Sequence, residues 1–208
     1  MADRAALARQ LARPGGRAGA LVAAAMDLAN RRAVAASIAA LAPRPGEHVL
    51  DLGCGTGRAA ELIGRTGARV TGIDHSPLMV ETARRRCGDR ATIAAARFDR
   101  LPLKDAGVDA VFACNTLYFW HDEAAILGEL RRVLRPDGRF VAYVTAGSAI
   151  AKLFGGKSET HRSFGEAELM ALVPAFGLRT PSVSIAPLAT FGVRGFVIAI
   201  ESTSQPHA

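Results

Sequence analysis

A run of nine residues, Val49-Leu50-Asp51-Leu52-Gly53-Cys54-Gly55-Thr56-Gly57, constrains this chain more than any other stretch. Val49 to Leu52 places apolar residues around one carboxylate, as at the end of a buried parallel strand. Three glycines at alternate positions follow, and Arg58-Ala59-Ala60-Glu61-Leu62-Ile63 has the composition of a helix start. Strand, glycine turn and helix make the first half of a nucleotide-binding βαβ unit. Its glycines adopt unusual φ/ψ and let a ligand approach the backbone.

The turn departs from the dinucleotide fingerprint, which has two further residues between its second and third glycines. Here Gly53, Gly55 and Gly57 are each separated by one residue. Asp51, inside the strand end, would repel a pyrophosphate and welcome an ammonium group. Asp74 ends a second strand-like run, Arg69-Val70-Thr71-Gly72-Ile73, at the place where an acidic residue takes a ribose diol. The pattern therefore predicts a nucleoside ligand that carries an amino group instead of a phosphate. S-adenosylmethionine fits that description.

At this point the chain resembles the class I S-adenosylmethionine-dependent methyltransferases. The resemblance is carried by VLDLGCGTG (49–57), GIDHSP (72–77), LPLKDAGVDAVFACNTLYFW (101–120) and LRRVLRPDGRFVAYV (130–144), in that order. It implies a methyl transfer from S-adenosylmethionine to a small-molecule acceptor through an O, N, S or carbon nucleophile. Two rival readings are an RNA or protein methyltransferase and a cofactor-binding regulatory protein without catalysis. The first lacks an Asn-Pro-Pro-Tyr-type motif where Asn115-Thr116-Leu117-Tyr118 stands.

Composition narrows the class. The 208 residues are 50% hydrophobic and 22% charged, which suits one soluble globular domain with a sizeable core. No run is apolar enough for a membrane span, and the charged start Met1-Ala2-Asp3-Arg4 does not read as a secretory signal. Cys54, Cys87 and Cys114 show no metal-ligand spacing and are compatible with a cytoplasmic location. The net charge of +7 is spread over arginines along the chain, so nucleic acid is not an expected partner.

Taken in order, the sequence predicts helices over 1–13 and 20–41, the second ended by Pro43-Arg44-Pro45-Gly46. Strands are expected at 48–52, 69–73, 91–96, 108–114 and 139–145. Helices are expected after the glycine turn, from Pro77 to Cys87 with Ser76 as cap, and over 123–134. Residues 147–164 read as an irregular stretch and 166–176 as a helix. Two last strands, 182–185 and 195–201, should pair antiparallel. The expected architecture is α/β: a doubly wound, mostly parallel, seven-stranded Rossmann-like sheet with helices on both faces and a C-terminal antiparallel hairpin. Residues 1–45 would form a helical cap and 46–208 the core of one structural domain.

The resemblance also assigns roles. Asp51 would hold the methionyl ammonium, directly or through water, or else only hydrogen-bond the turn. Gly53, Gly55, Thr56 and Gly57 belong to the turn that meets the cofactor, and Asp74 would accept from both ribose hydroxyls. His75 and Met79 would line the adenine, with surface exposure the alternative for His75. Related proteins carry an aspartate on the adenine amine where this chain has Arg97, which has no acceptor. The Phe98 backbone would serve instead, with Asp99 as a replacement if the loop shifts and stacking by Arg97 as another route. Asn30 interrupts an apolar helix stripe and either faces the ligand or is exposed. Asn115 would lie near the methionine end. Tyr118, Phe119 and Trp120 would wall the reaction chamber or anchor their loop. Tyr118 and His121 are the candidate catalytic residues, with His161 a second base candidate; His121 also reads as an ordinary helix-start residue.

Overall fold

The computed structural model of the chain describes residues 16–147 and 164–202. The helix expected over 1–13 and His161 lie outside those residues. Helix α1, Gly16–Leu41, opens the described part. Seven strands follow: β1 His48–Leu52, β2 Arg69–Asp74, β3 Thr92–Ala95, β4 Val108–Cys114, β5 Leu134–Thr145, β6 Pro181–Thr190 and β7 Val193–Ser202. Between them run α2 Arg58–Gly64, α3 Pro77–Cys87, α4 Glu123–Val133 and α5 Glu166–Leu172. The last helix is shorter than its pattern suggested. Pro174 lacks an N–H, and the chain tightens into a 3-10 turn over Val173–Phe176.

One sheet holds all seven strands in the order β3-β2-β1-β4-β5-β7-β6. The pairs β1–β2, β1–β4, β2–β3 and β4–β5 are parallel, while β7 is antiparallel to both β5 and β6. This is the expected doubly wound sheet with its C-terminal hairpin. The hairpin is longer than the sequence pattern indicated. Pairing extends from Pro181↔Ser202 to Thr190↔Val193 because cross-strand hydrogen bonding continues past the apolar alternation.

Period-two alternation sends each strand's side chains into two separate cores. Leu50, Leu52, Val111, Ala113, Phe140 and Ala142 pack with Leu127, Leu130 and Leu169 on the face covered by α4 and α5. Val49, Val70, Ala110, Phe112, Val141 and Tyr143 pack with Val34, Ile63 and Ala83 on the face covered by α1, α2 and α3. Asp51 follows Val49 by two and Asp74 follows Val70 by four. Both carboxylates therefore sit on the second face, at the carboxyl ends of adjacent strands.

Helix α1 is tied to the sheet at its end. Arg139 of β5 donates through Nε to the Leu41 carbonyl (2.6 Å) and through a terminal nitrogen to the Ala42 carbonyl (3.3 Å). The same guanidinium pairs with Glu47 at 2.6 Å. Orphan carbonyls of the last helical turn thus find a cationic donor that complements the helix dipole. Among the described residues no helix is long and apolar enough to cross a membrane.

The β6–β7 turn carries an avoidable cost. Phe191 and Gly192 both have positive φ, 49° and 75°, and the Phe191 ring is 79% exposed. A two-residue hairpin turn of this hand favours Asn-Gly, since a bulky residue is strained in the left-handed region. Phe191→Asn should stabilise the protein by about 1 kcal/mol, read as a raised urea midpoint. An unchanged or lowered midpoint would contradict this account of the turn.

Candidate functional site

The carboxyl ends of β1, β2 and β4 open onto a cavity closed from one side by α1. Its floor is set by register. Asp51 lies opposite Gly72 of β2 and Phe112 of β4, so no bulky neighbour covers its carboxylate from β2. A Cβ on Gly72 would approach Ile93 to 2.6 Å and Cys54 to 3.1 Å.

Asp51 is 2% exposed. The Ala60 amide donates to its carboxylate, but Oδ2 has no hydrogen-bond partner. Burial, with Asp74 as a neighbouring negative charge, raises its pKa to about 7. A buried carboxylate without a counter-charge is costly. Asp74 is also buried, yet each of its oxygens is fixed: Oδ2 accepts from Gly55 N–H (3.0 Å) and Oδ1 from Ser76 N–H (2.8 Å). A carboxylate oxygen has two lone pairs, so each keeps acceptor capacity toward the cavity.

The glycines divide the work. Gly53 has φ 73°, and a Cβ there would lie 2.4 Å from Thr116 Oγ1; that hydroxyl donates to the Leu52 carbonyl at 3.1 Å. Gly55 has φ 52°, and its Cβ would meet nothing within 4 Å. Gly57, with φ 80°, does not line the cavity; its Cβ would lie 2.9 Å from Ala83 and Cys87 of α3. The expected cofactor contact at Gly57 is thus revised to close packing of the turn on α3. Cys54 and Cys114 line the cavity, but burial raises both thiols, Cys114 to about 12, so neither is a thiolate near neutrality.

Helix α1 presents Ala23, Met26, Asp27, Asn30 and Val34 to the cavity, a stripe at helical spacing. Three polar contacts hold it there. Asp27 Oδ1 accepts from Thr56 Oγ1 (2.5 Å), and Asp27 Oδ2 pairs with Arg86 of α3 (2.7 Å). Asn30 Oδ1 accepts from Asn115 Nδ2 at 3.0 Å. Asp27 was missed in the sequence, although its position three residues before Asn30 puts both on one helix face.

His75, Met79 and Phe98 also line the cavity, with His75 and Phe98 edge to face at 6.3 Å. Arg97 does not. Its side chain is 80% exposed and its guanidinium is held by Asp99 at 2.5 Å, so the expectation that it stacks on a ligand is revised. Asn115 lines the cavity in a left-handed backbone conformation, φ 53°, which asparagine tolerates. Its Oδ1 accepts from Thr145 N–H and Oγ1–H, each at 3.1 Å, and lies 2.9 Å from the Tyr118 hydroxyl.

The two expected catalytic side chains are not brought to the cavity. Tyr118 is 5% exposed, its ring packs against Phe164, and its hydroxyl joins Asn115 to Thr145. Burial raises its pKa, so it holds its proton at neutrality. His121 is exposed just before α4, whose N-cap is Asp122. Trp120 is buried in the core, while Phe119 does face the cavity. Of the three aromatics, Tyr118 and Trp120 are packed into the core and Phe119 alone lines the cavity.

Comparison with known proteins agrees with this geometry. Residues 50–142 match the methyltransferase domain family. The chain is similar to methyltransferase domains over that stretch. It is 39% identical over 107 residues to the O-methyltransferase cnsE of Penicillium expansum, covering 49% of this chain and 39% of that protein. It is 32% identical over 136 residues to the malonyl-[acyl-carrier protein] O-methyltransferase of Serratia marcescens, covering 65% of this chain and 52% of that one. The matched stretch thus spans about half the length of those relatives or less. Among solved structures, magnesium protoporphyrin IX methyltransferase of Synechocystis, with S-adenosylhomocysteine bound, superposes with a TM-score of 0.69 at 20% identity. That match covers 85% of this chain and 84% of the other, and it shows that the two share one fold.

Two predictions follow from the packing of the domain. Tyr118→Phe removes a buried hydroxyl that both Asn115 and Thr145 use, and should cost about 1–3 kcal/mol of stability; a denaturation midpoint equal to wild type would remove Tyr118 from this anchoring role. Gly53→Ala and Gly55→Ala both place a side chain at positive φ, at about 1–2 kcal/mol each. Only the first also collides with Thr116, adding about 1–3 kcal/mol of overpacking. Gly53→Ala should therefore be the more destabilised in thermal unfolding, and equal losses would refute the assigned contact.

Proposed function

We propose that this domain binds S-adenosylmethionine in the cavity and transfers its methyl group to a small-molecule acceptor. The observation that carries the reading is the unpartnered, buried Asp51 oxygen facing the same cavity as the doubly anchored Asp74. Together they call for a ligand with a cationic amine and a vicinal diol.

The residues present fit such a ligand. Asp51 would take the methionyl ammonium, gaining the counter-charge it lacks. Asp74, already oriented by two backbone amides, would take the ribose hydroxyls with little further ordering. Met79 and Phe98 offer apolar surface to a purine, with His75 at its edge. Gly55 leaves its side open, so a ligand can reach the backbone there. The Asn30–Asn115 pair and Phe119 bound the cavity on the side of β4, where an acceptor would meet the methyl group.

The bound sulfonium supplies the electrophile. What the chain must add is alignment of an acceptor atom within about 3–3.5 Å and exclusion of water. A general base is needed only for an acceptor that must lose a proton. The O-methyltransferase activity named for both relatives supports methyl transfer.

Calorimetry with S-adenosylmethionine and S-adenosylhomocysteine tests binding, and a transfer screen against small molecules and RNA tests the acceptor class. Binding should also depend on pH with a defined sign. Below a pKa of about 7 Asp51 is protonated in the free protein, while an ammonium favours the carboxylate. Affinity should be full above pH 7 and fall by up to roughly tenfold per unit below it. Asp51→Asn should bind more weakly and lose this slope. A profile flat from pH 5.5 to 8 would remove Asp51 from the ammonium site.

A further inference from the structure

The polar patch on the β4 side of the cavity has a direction. The Thr145 backbone N–H can only donate, so its bond to Asn115 at 3.1 Å identifies the oxygen of that amide. The Thr145 Oγ1–H at 3.1 Å and the Tyr118 hydroxyl at 2.9 Å crowd the same atom. The Asn115 nitrogen therefore points to α1, where it donates to Asn30 Oδ1 at 3.0 Å. That bond orients Asn30 in turn and leaves its Nδ2 without a hydrogen-bond partner among the described residues. Both asparagines line the cavity. Each amide nitrogen carries two hydrogens, and only one of the four is used, so the pair offers N–H groups and little acceptor capacity. The lining around it, Met26, Val34, Phe112 and Phe119, is apolar.

Among the described residues no proton acceptor stands beside this patch. Asp74 and His75 belong to the end of β2, on the far side of β1 from β4, which puts them roughly 10 Å away. Asp27 is engaged by Thr56 and Arg86, and Asp51 is assigned above to an ammonium. Arg58, also in the lining, has no acceptor, and Cys54 and Cys114 keep their protons near neutrality. An alcohol, phenol or amine would present one atom both to the donors and to the methyl group. A carboxylate has two oxygens, one for each task, and no proton to lose.

From this donor patch we infer that the methyl acceptor is a carboxylic acid, held by Asn30 and Asn115 through one oxygen and methylated on the other to an ester. The inference rests on the cofactor reading given above and names the acceptor class for it. A lone pair of the free carboxylate oxygen forms the new O–C bond as the bond from the methyl carbon to sulfur breaks, and the electron pair of that bond stays on sulfur. The carboxylate and sulfonium charges cancel, and no proton is released. Asn30 is then the residue of α1 that selects the acceptor.

A panel of aliphatic and aromatic carboxylic acids, with the alcohol, phenol, amine and thiol of matching skeletons, tests this with S-adenosylmethionine labelled in its methyl group. Label should pass to acids, as esters from which mild alkali frees labelled methanol. At saturating cofactor, kcat for such an acid should stay level from about pH 6 to 8, since no base has to lose a proton first. Asn30→Leu removes the free donors without adding charge. It should lower kcat/KM for the acid about ten- to a hundredfold, the range for a hydrogen bond to a charged group, and leave S-adenosylhomocysteine affinity within about threefold. Asn30→Asp, which sets a negative charge against the acid, should lose more. Transfer only to the other classes, or to no member of the panel, overturns the inference. So does a kcat that climbs with pH across that range. Equal weakening of cofactor and acid by Asn30→Leu would show a structural role for Asn30, or a contact with the cofactor itself, and overturns it as well. Calorimetry with S-adenosylhomocysteine separates the two readings: binding without transfer to acids sinks this inference alone, and no binding sinks the cofactor reading.

Discussion

The Asp51 carboxylate sits at the end of β1, between two parallel strands and under α1, with one oxygen lacking any donor. A carboxylate in that position is expensive to ionise, and its pKa near 7 expresses the cost. The Ala60 amide offsets part of that cost, and Oδ2 stays without a partner among the described residues. The surrounding parts instead keep the place open: Gly53 lets the chain turn away against Thr116, Gly55 leaves a face bare, and Gly72 opposite has no side chain. A site built around an unmet charge is stabilised by a ligand that meets it, so binding and local stability are linked.

The wall opposite Asp51 is made by α1, and its attachment is polar as well as apolar. Val34 and Leu41 bury against the sheet, while Asp27 reaches Thr56 and Arg86, and Asn30 reaches Asn115. Asn115 is in turn fixed through Thr145 and Tyr118, which rests on Phe164. The helix that closes the cavity is thereby joined to β4 and to the end of β5. Tyr118 acts in this chain of contacts as a strut. Its hydroxyl is occupied and its proton is retained, so its aromatic surface and its hydrogen bonds serve the shape of the site.

The electrostatic layout of the cavity is asymmetric in a useful way. Asp74 is held by two backbone amides and, on the proposed reading, would receive hydroxyl groups. Asp51 and Arg58 are of opposite sign, and each has one buried polar atom without a hydrogen-bond partner. Uncharged aromatic and thioether surface, from Phe98 and Met79, occupies a further part of the lining. Hydroxyl, charge and flat apolar surface are the three chemistries of an adenosyl amino acid, and each has a counterpart among these side chains.

Much of this was legible in the residues themselves. The alternation of Val49, Asp51 and of Val70, Asp74 fixes which face the carboxylates share, because strand periodicity is local and exact at two. The glycine spacing, the alternation of strands and helices and the terminal hairpin follow from similarly local rules. What the sequence could not settle depended on contacts between distant segments. Arg97 was expected from the sequence to meet the ligand, yet Asp99 holds it outward in solvent. Tyr118, Phe119 and Trp120 are consecutive, but a 3-10 turn over Leu117–Phe119 rotates only Phe119 to the cavity. Gly57 belongs to the motif and is spent on α3, while Asp27 and Arg58 enter the site through a helix stripe and a missing partner. The sequence by itself determined which strand ends meet and which groups could be charged there. Only the tertiary structure decided which of those groups remain unpaired, since pairing depends on where side chains far apart in the chain come to rest.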